Sequence, residues 1–215
     1  MTGQRDRVVL CEGERDVRLL KRFHDRERQC SCDTFHGGNH TADELKNFES
    51  NKLQQFTGRR NEDDVFLKSE GGLEELKPLF ARLARALFHT FEVAVCLLVD
   101  LDRDDHDRWD GPAGVERYHD LIEDLDERVD DIYSADCGVE HDQFRLRGEA
   151  LLAAQATFTH DGHAPASFDL LAFRSSLEDA AGIGDDDGDS DDGEEEAERL
   201  DAFLTANPDP FDRVL

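Results

Sequence analysis

Lysine is scarce in this chain, with 5 residues against 20 arginines in a length of 215. Long apolar runs are missing as well. None approaches the roughly 20 residues that a membrane-spanning helix needs, so a membrane partner is not expected. The N-terminus lacks the basic-then-apolar pattern of a secretory leader, because Glu12 and Arg15 interrupt the first apolar run. A disulfide framework is not expected either. Cys11, Cys30, Cys32, Cys96 and Cys137 are odd in number, and Cys11 and Cys96 fall inside predicted buried strands. Reduced thiols in a cytoplasmic protein are the expectation. No internal repeat is visible.

Acid is abundant: 52 Asp and Glu against 25 Lys and Arg give a net charge of −27. Aspartate dominates, 32 to 20 over glutamate. An Asp-rich, Lys-poor surface resembles that of proteins from salt-in halophilic archaea. In molar KCl, screening shortens charge–charge repulsion to about 3 Å, so such a surface is an adaptation to solvent and says little about partners. The hydrophobic fraction of 38% still supports a core. The charge is uneven. Residues 1–98 hold 16 basic and 17 acidic side chains, and residues 99–215 hold 9 and 35. A face that meets a polyanion would therefore belong to the first half.

Strands and helices alternate along the chain. Arg7 to Cys11 reads as a central strand, and Glu14 to Arg28 as a helix with Val17, Leu20 and Phe23 close to one face. A short strand at Cys32 to Phe35 ends in the Gly37-Gly38 turn. Thr41-Ala42-Asp43-Glu44 fits a capping box for a second helix, which fades by Gly58. Val65 to Lys68 is a third strand. Leu73, Leu76, Phe80, Leu83, Leu87 and Phe91 then form one helical stripe, with Pro78 predicting a start near residue 77 or a kink. Val93 to Val99 is apolar at every position, as a fully buried parallel strand should be. A helix is expected over 115–129, one or two strands around Gly148 over 143–159, and short helices over 168–177 and 198–205. The fold class is α/β, with a Rossmann-like, mostly parallel sheet flanked by helices and an acidic C-terminal extension. The expected segments are an α/β core over 1–110, an α/β part packed on it over 111–182, an acidic flexible linker over 183–197, and a short helix and tail over 198–215.

Two acidic motifs stand at the ends of apolar strands. One is Cys11-Glu12-Gly13-Glu14-Arg15-Asp16, and the other is Asp100-Leu101-Asp102-Arg103-Asp104. In an open parallel sheet the C-terminal strand ends share one edge, where ligands bind. Asp100 and Asp102 point the same way on an extended strand, and Asp104 continues that side. Carboxylates gathered there would repel one another unless they share a cation, and oxygen ligands select Mg²⁺ or Mn²⁺.

Apolar strand, Glu-Gly-x-x-Asp, helix, and later apolar strand and Asp-x-Asp resemble the TOPRIM domain of primases, topoisomerases and OLD-family nucleases. The resemblance covers about residues 7–110 and includes the Phe35-His36-Gly37-Gly38 turn. It implies Mg²⁺- or Mn²⁺-dependent phosphodiester chemistry on DNA or RNA, most simply a nuclease. Glu12 would then be general acid/base or metal ligand, and Asp100 and Asp102 metal ligands with Asp104 beside them. It also implies that an ATPase or other processing subunit is a partner, and a non-catalytic module in such a complex is the alternative. A third reading comes from Val99-Asp100-Leu101-Asp102, which resembles the nucleophile motif of haloacid-dehalogenase-type phosphatases, although Asp104 stands where that family has Thr or Val.

Lys68, Gly71 and Gly72, between a strand and a helix, are candidates for phosphate contact, as are Arg15 and Arg18 on the first helix. Arg22, Arg59, Arg60, Lys77, Arg82 and Arg85 extend the basic set, whose plainer role is to neutralise neighbouring acids. Cys30-x-Cys32 with His36 and His40 has zinc-ligand residue types at a spacing unlike the common finger. His160-Asp161-Gly162-His163 is an equally thin zinc candidate, and its Asp-Gly reads rather as a turn. The acidic run after Ile183 fails as a calcium loop, because Gly188 in sixth place puts Ile183 first and Gly193 puts Gly188 first.

Overall fold

The computed structural model describes residues 6–28, 32–37, 42–58, 65–101, 113–183 and 193–214. Seven strands form one mixed sheet in the order β2-β3-β1-β4-β7-β6-β5. They are β1 (Arg7–Cys11), β2 (Cys32–His36), β3 (Val65–Ser69), β4 (Ala94–Asp100), β5 (Cys137–Arg147), β6 (Leu151–His160) and β7 (Ala166–Phe173). From β2 to β7 the neighbours are parallel, and β6 runs antiparallel to both β7 and β5. The expected α/β class, mostly parallel and flanked by helices, holds.

Strand period two sorts β1 onto both faces. Val8 and Leu10 join one apolar cluster, and Val9 and Cys11 the other. The first cluster is roofed by α2 (Ala42–Asn47), a π-helical turn over Phe48–Leu53, α3 (Gln54–Thr57), α4 (Leu73–Arg85) and α5 (Ala113–Tyr133). The second is roofed by α1 (Glu14–Phe23), α6 (Leu177–Ala181), α7 (Gly193–Ala206) and α8 (Pro208–Val214). The connection from β1 to β2 runs towards one sheet edge across the second face. The connections from β2 to β3 and from β3 to β4 run the other way across the first face. The chain leaving β4 enters α5 on the first face and heads for the opposite sheet edge, so the connections leaving the adjacent strands β1 and β4 diverge to opposite faces, which is where an open α/β sheet leaves a crevice.

Three expectations are corrected. Residues 168–177 are not a helix. They hold all but the first two residues of β7, which is inserted between β4 and β6 with Phe168, Leu170, Leu171, Ala172 and Phe173 all buried, and only Leu177 is helical, as the first residue of α6. A short run that is apolar on both faces fits a buried strand as well as a helix turn, and only the pairing decides. Second, α4 starts at Leu73 in spite of Pro78. Leu76 N–H donates to Gly72 O, so Pro78 lies within two residues of the first intrahelical donor and removes a single bond near the helix start. Burial of Leu76, Phe80, Leu83 and Leu87 offsets that loss, at roughly 1.5–3 kcal/mol per side chain. Third, the C-terminal helix begins at Gly193 and not at residue 198, so the last five residues of the expected acidic linker belong to it. Leu200, Phe203 and Leu204 of α7 and Phe211 of α8 are core residues of the second face. Residues 184–192 lie outside the described residues. Among the described residues no helix is long and apolar enough to cross a membrane.

Candidate functional site

The strand ends at the C-terminal edge are laced together by backbone bonds. Glu70 N–H donates to Cys11 O at 3.1 Å, Gly72 N–H to Glu12 O at 3.2 Å, and Gly37 N–H to Ser69 O at 2.9 Å. Gly72 adopts φ 125°, a conformation only glycine takes readily, which lets the chain leave β3, touch the end of β1 and enter α4 at once. Above this lattice lies a cleft of about 350 Å³ lined by Glu12, Asp16, Glu70, Asp100 and Glu178 together with Arg15, His36, Gly13, Gly71 and Gly72.

The two acidic motifs meet in this cleft. Asp100 N–H at the end of β4 donates to Glu12 Oε1 at the end of β1, at 2.6 Å. This bond spans the point where the connections diverge. Asp100 Oδ1 is buried. Asp102 and Asp104, the remaining expected ligands, lie outside the described residues, as do Cys30, His40, Arg59 and Arg60.

Asp16 is 5% exposed and caps its own helix, accepting Gly13 N–H at 2.9 Å. Burial pushes its carboxyl up to about 7. The backbone N–H groups of Gly13 and Glu12 pull the other way, and the charge of Glu178 adds to the rise. The motif's third acid thus sits near neutrality, while Glu12 reaches into the crevice. Burial also pushes Glu178 up, but the hydrogen bond and charge of Arg15 outweigh it and leave its carboxyl below the ordinary value.

The basic residues expected to touch phosphate are committed elsewhere. Lys68 has no exposed surface. Its ammonium donates to Ser69 O and Glu70 Oε1, both at 2.7 Å, and to Gly37 O at 3.4 Å, which uses all three of its protons. Burial lowers its pKa, opposed by Glu70. Lys68 therefore locks the strand-end turns and cannot reach a ligand. Arg15 pairs with Glu178 at 2.8 Å, and Arg18 with Glu196 at 2.6 Å. Arg22 and Arg26 both approach Asp201 at 3.6 Å. The basic stripe of α1 is thus a seam to α6 and α7, the plainer of the two roles considered. Lys77 bridges Glu74 and Asp124, both at 2.7 Å. Gly71 and Gly72 do border the cleft, although the Gly72 N–H is already spent on Glu12.

Sequence reasoning missed Glu178 and the place of His36. Glu178 arrives on α6, whose start is marked by Ser176, whose hydroxyl accepts Asp179 N–H at 3.1 Å. That cap was readable, but its position beside β1 depends on β7, which was expected to be helical. His36 Nδ1 lies 2.7 Å from Ser69 Oγ and its Nε2 3.6 Å from Glu14, so it belongs to the cleft wall and not to a Cys-His cluster with Cys32.

No family model matches the chain, and no curated protein matches it.

Proposed function

We propose that the chain performs Mg²⁺- or Mn²⁺-dependent phosphodiester chemistry on nucleic acid, as a TOPRIM-like nuclease. The observation that carries this reading is the bond between Glu12 Oε1 and Asp100 N–H. It brings two motifs 88 residues apart into one crevice. The lining fits a hard divalent cation, since Glu12 and Asp100 bring carboxylate oxygen to a cleft whose other acids, Asp16, Glu70 and Glu178, are held by Gly13 N–H, Lys68 and Arg15. Glu12 and Asp100 would hold the ion, followed in sequence by Asp102 and Asp104. When bound, it would supply charge neutralisation at a phosphoryl group. Glu12, fixed by its bond to the Asp100 backbone, would take the proton of an attacking water. Asp16 holds the Glu12-Gly13 turn in place through the Gly13 N–H.

One observation favours a second reading, a partner-dependent module in a DNA- or RNA-processing complex. With Arg15, Arg18 and Lys68 engaged by internal acids, the described part of the cleft has little to attract a polyanion unaided. An ATPase or other subunit would then complete the binding surface. The test is a cleavage assay in molar KCl with labelled single- and double-stranded DNA and RNA, Mg²⁺ or Mn²⁺, and Glu12→Gln as control. That variant keeps the acceptor for Asp100 N–H and removes the base. Metal-dependent cutting that the variant loses supports the nuclease. No cutting of any substrate by a folded chain would sink it and favour the module.

A further inference from the structure

The opposite edge of the sheet carries a different cluster. β6 runs against its parallel neighbours, so its last residue, His160, comes out beside the starts of β4 and β7. His89 precedes β4 on the π-helical turn Ala86–Thr90, and His163 follows β6 after the Asp161-Gly162 turn, where Gly162 has φ 80°. The turn read from sequence is there, closed by His163 N–H on His160 O at 3.0 Å. Its effect is to fold His163 back over His160. Ring centroids are 4.4 Å apart for His160 and His163, 4.3 Å for His89 and His163, and 5.2 Å for His89 and His160. One ring nitrogen from each of the three lies within 4.8 Å of the others.

In the same cluster His89 Nε2 and His160 Nδ1 are buried and have no hydrogen-bond partner among the described residues. Buried polar atoms are almost always satisfied, and an orphaned pair in one cluster calls for a ligand. Burial lowers the pKa of both rings, with the neighbouring imidazoles and Arg85 adding to the fall. A cavity of about 440 Å³ opens beside His89 and His163, bordered by Glu92. A second of about 340 Å³ is bordered by all three histidines with Arg82, Arg85 and Tyr133.

We propose that His89, His160 and His163 form a binding site for a borderline divalent transition ion, Zn²⁺ foremost, separate from the carboxylate cleft. Imidazole nitrogen suits Zn²⁺, Ni²⁺ and Cu²⁺ and is a poor match for Mg²⁺. A tetrahedral zinc with Zn–N bonds of about 2.0–2.1 Å needs its nitrogens roughly 3.4 Å apart, so the cluster must tighten. His160 and His163 lie face to face at an interplanar angle of 9°, and parallel rings cannot both aim in-plane at one ion. His163 is the exposed member on a glycine turn, and it is the ring that rotates on binding. Three protein ligands leave a fourth position open to water or a small anion from the adjoining cavities.

The test titrates the untagged full chain with Co²⁺ in a large excess of Mg²⁺, which occupies the carboxylates. Absorption is followed in the visible range, and Zn²⁺ is then added. The expected result is one Co²⁺ per chain with the intense bands of a four-coordinate nitrogen site, displaced by Zn²⁺. His163→Ala, an exposed turn substitution that leaves the core intact, should abolish the bands. It should also weaken binding by more than the roughly 10–100-fold that changes outside the ligand set cause. Absent bands in the unaltered chain, or bands unchanged in His163→Ala, would overturn the site.

Discussion

At one edge of the sheet carboxylates crowd together, and the cations beside them are already spent: Arg15 on Glu178, Arg18 on Glu196, Lys68 on Glu70. At the other edge three imidazoles stack against one another beside two cavities. Both clusters are made by residues that leave strand ends, yet they suit opposite classes of ion. The excess of acid over the whole chain does not mark the carboxylate cleft, since most acidic residues lie in the second half of the sequence and Glu12, Asp16 and Glu70 come from its balanced first half. Local position where the connections from β1 and β4 diverge distinguishes the cleft. Orphaned nitrogens distinguish the histidine edge.

The sharpest way to break this comparison is to disable each edge separately. Glu12→Gln should lower metal-dependent cleavage by about 10³-fold or more, in the range lost when a main catalytic group is removed. It should leave Co²⁺ absorption at the histidines unchanged. Parallel loss of both signals would mean that the edges are one system.

Next in size is the buried pair. Lys68→Met strands Glu70 in the interior and should cost about 3–5 kcal/mol in denaturant unfolding, while Lys68→Met with Glu70→Gln should recover much of it. If Lys68 were instead a ligand contact, the single change would weaken substrate binding and leave stability nearly intact.

Asp16 gives the pH signature of the acidic edge. Its folded pKa of about 7 lies above the roughly 3.9 of an unfolded aspartate. Between those values the folded state holds the extra proton, so stability falls as pH rises from about 4 to 7 and levels off above. Asp16→Asn, which still accepts Gly13 N–H, should flatten that slope in unfolding curves taken across the window. A slope of the same steepness in the variant would assign it to other groups. Smallest of all, Arg18→Ala should cost only about 0.2–1 kcal/mol, because Arg18 is half exposed and its ion pair is screened. A larger loss would make the seam between α1 and α7 a main support of the cleft wall.

Much of the first half was legible in the sequence. Strands β1, β3 and β4 and the long stripe of α4 follow from unbroken periodicity, and the meeting of Glu12 with Asp100 follows from parallel strand ends. What escaped was set by distant pairing. Phe168 to Phe173 carries no period that separates a helix from a strand buried on both faces, and without β7 neither Glu178 nor His160 could be placed. Lys68 looked available because sequence shows its charge and not its depth. Its partner Glu70 lies only two residues on, but the pairing depends on both side chains being buried at the strand end. The arginines of α1 find acids on α6 and α7, more than 160 residues later, which no local pattern reveals.

The position of β7 also shapes how the chain is made. During synthesis β2, β3, β1 and β4 emerge first and can pair, but the far side of β4 finds its own partner only when residues 166–173 appear. The β5–β6 hairpin is complete earlier and joins the sheet solely through β7. For that interval an apolar strand, Val95 to Val99, presents an unpaired edge that a neighbouring nascent chain could occupy. Yield in a crowded cell should therefore depend on how quickly translation delivers the last strand, and a pause placed just before it should send more of the product into aggregates than one placed after it.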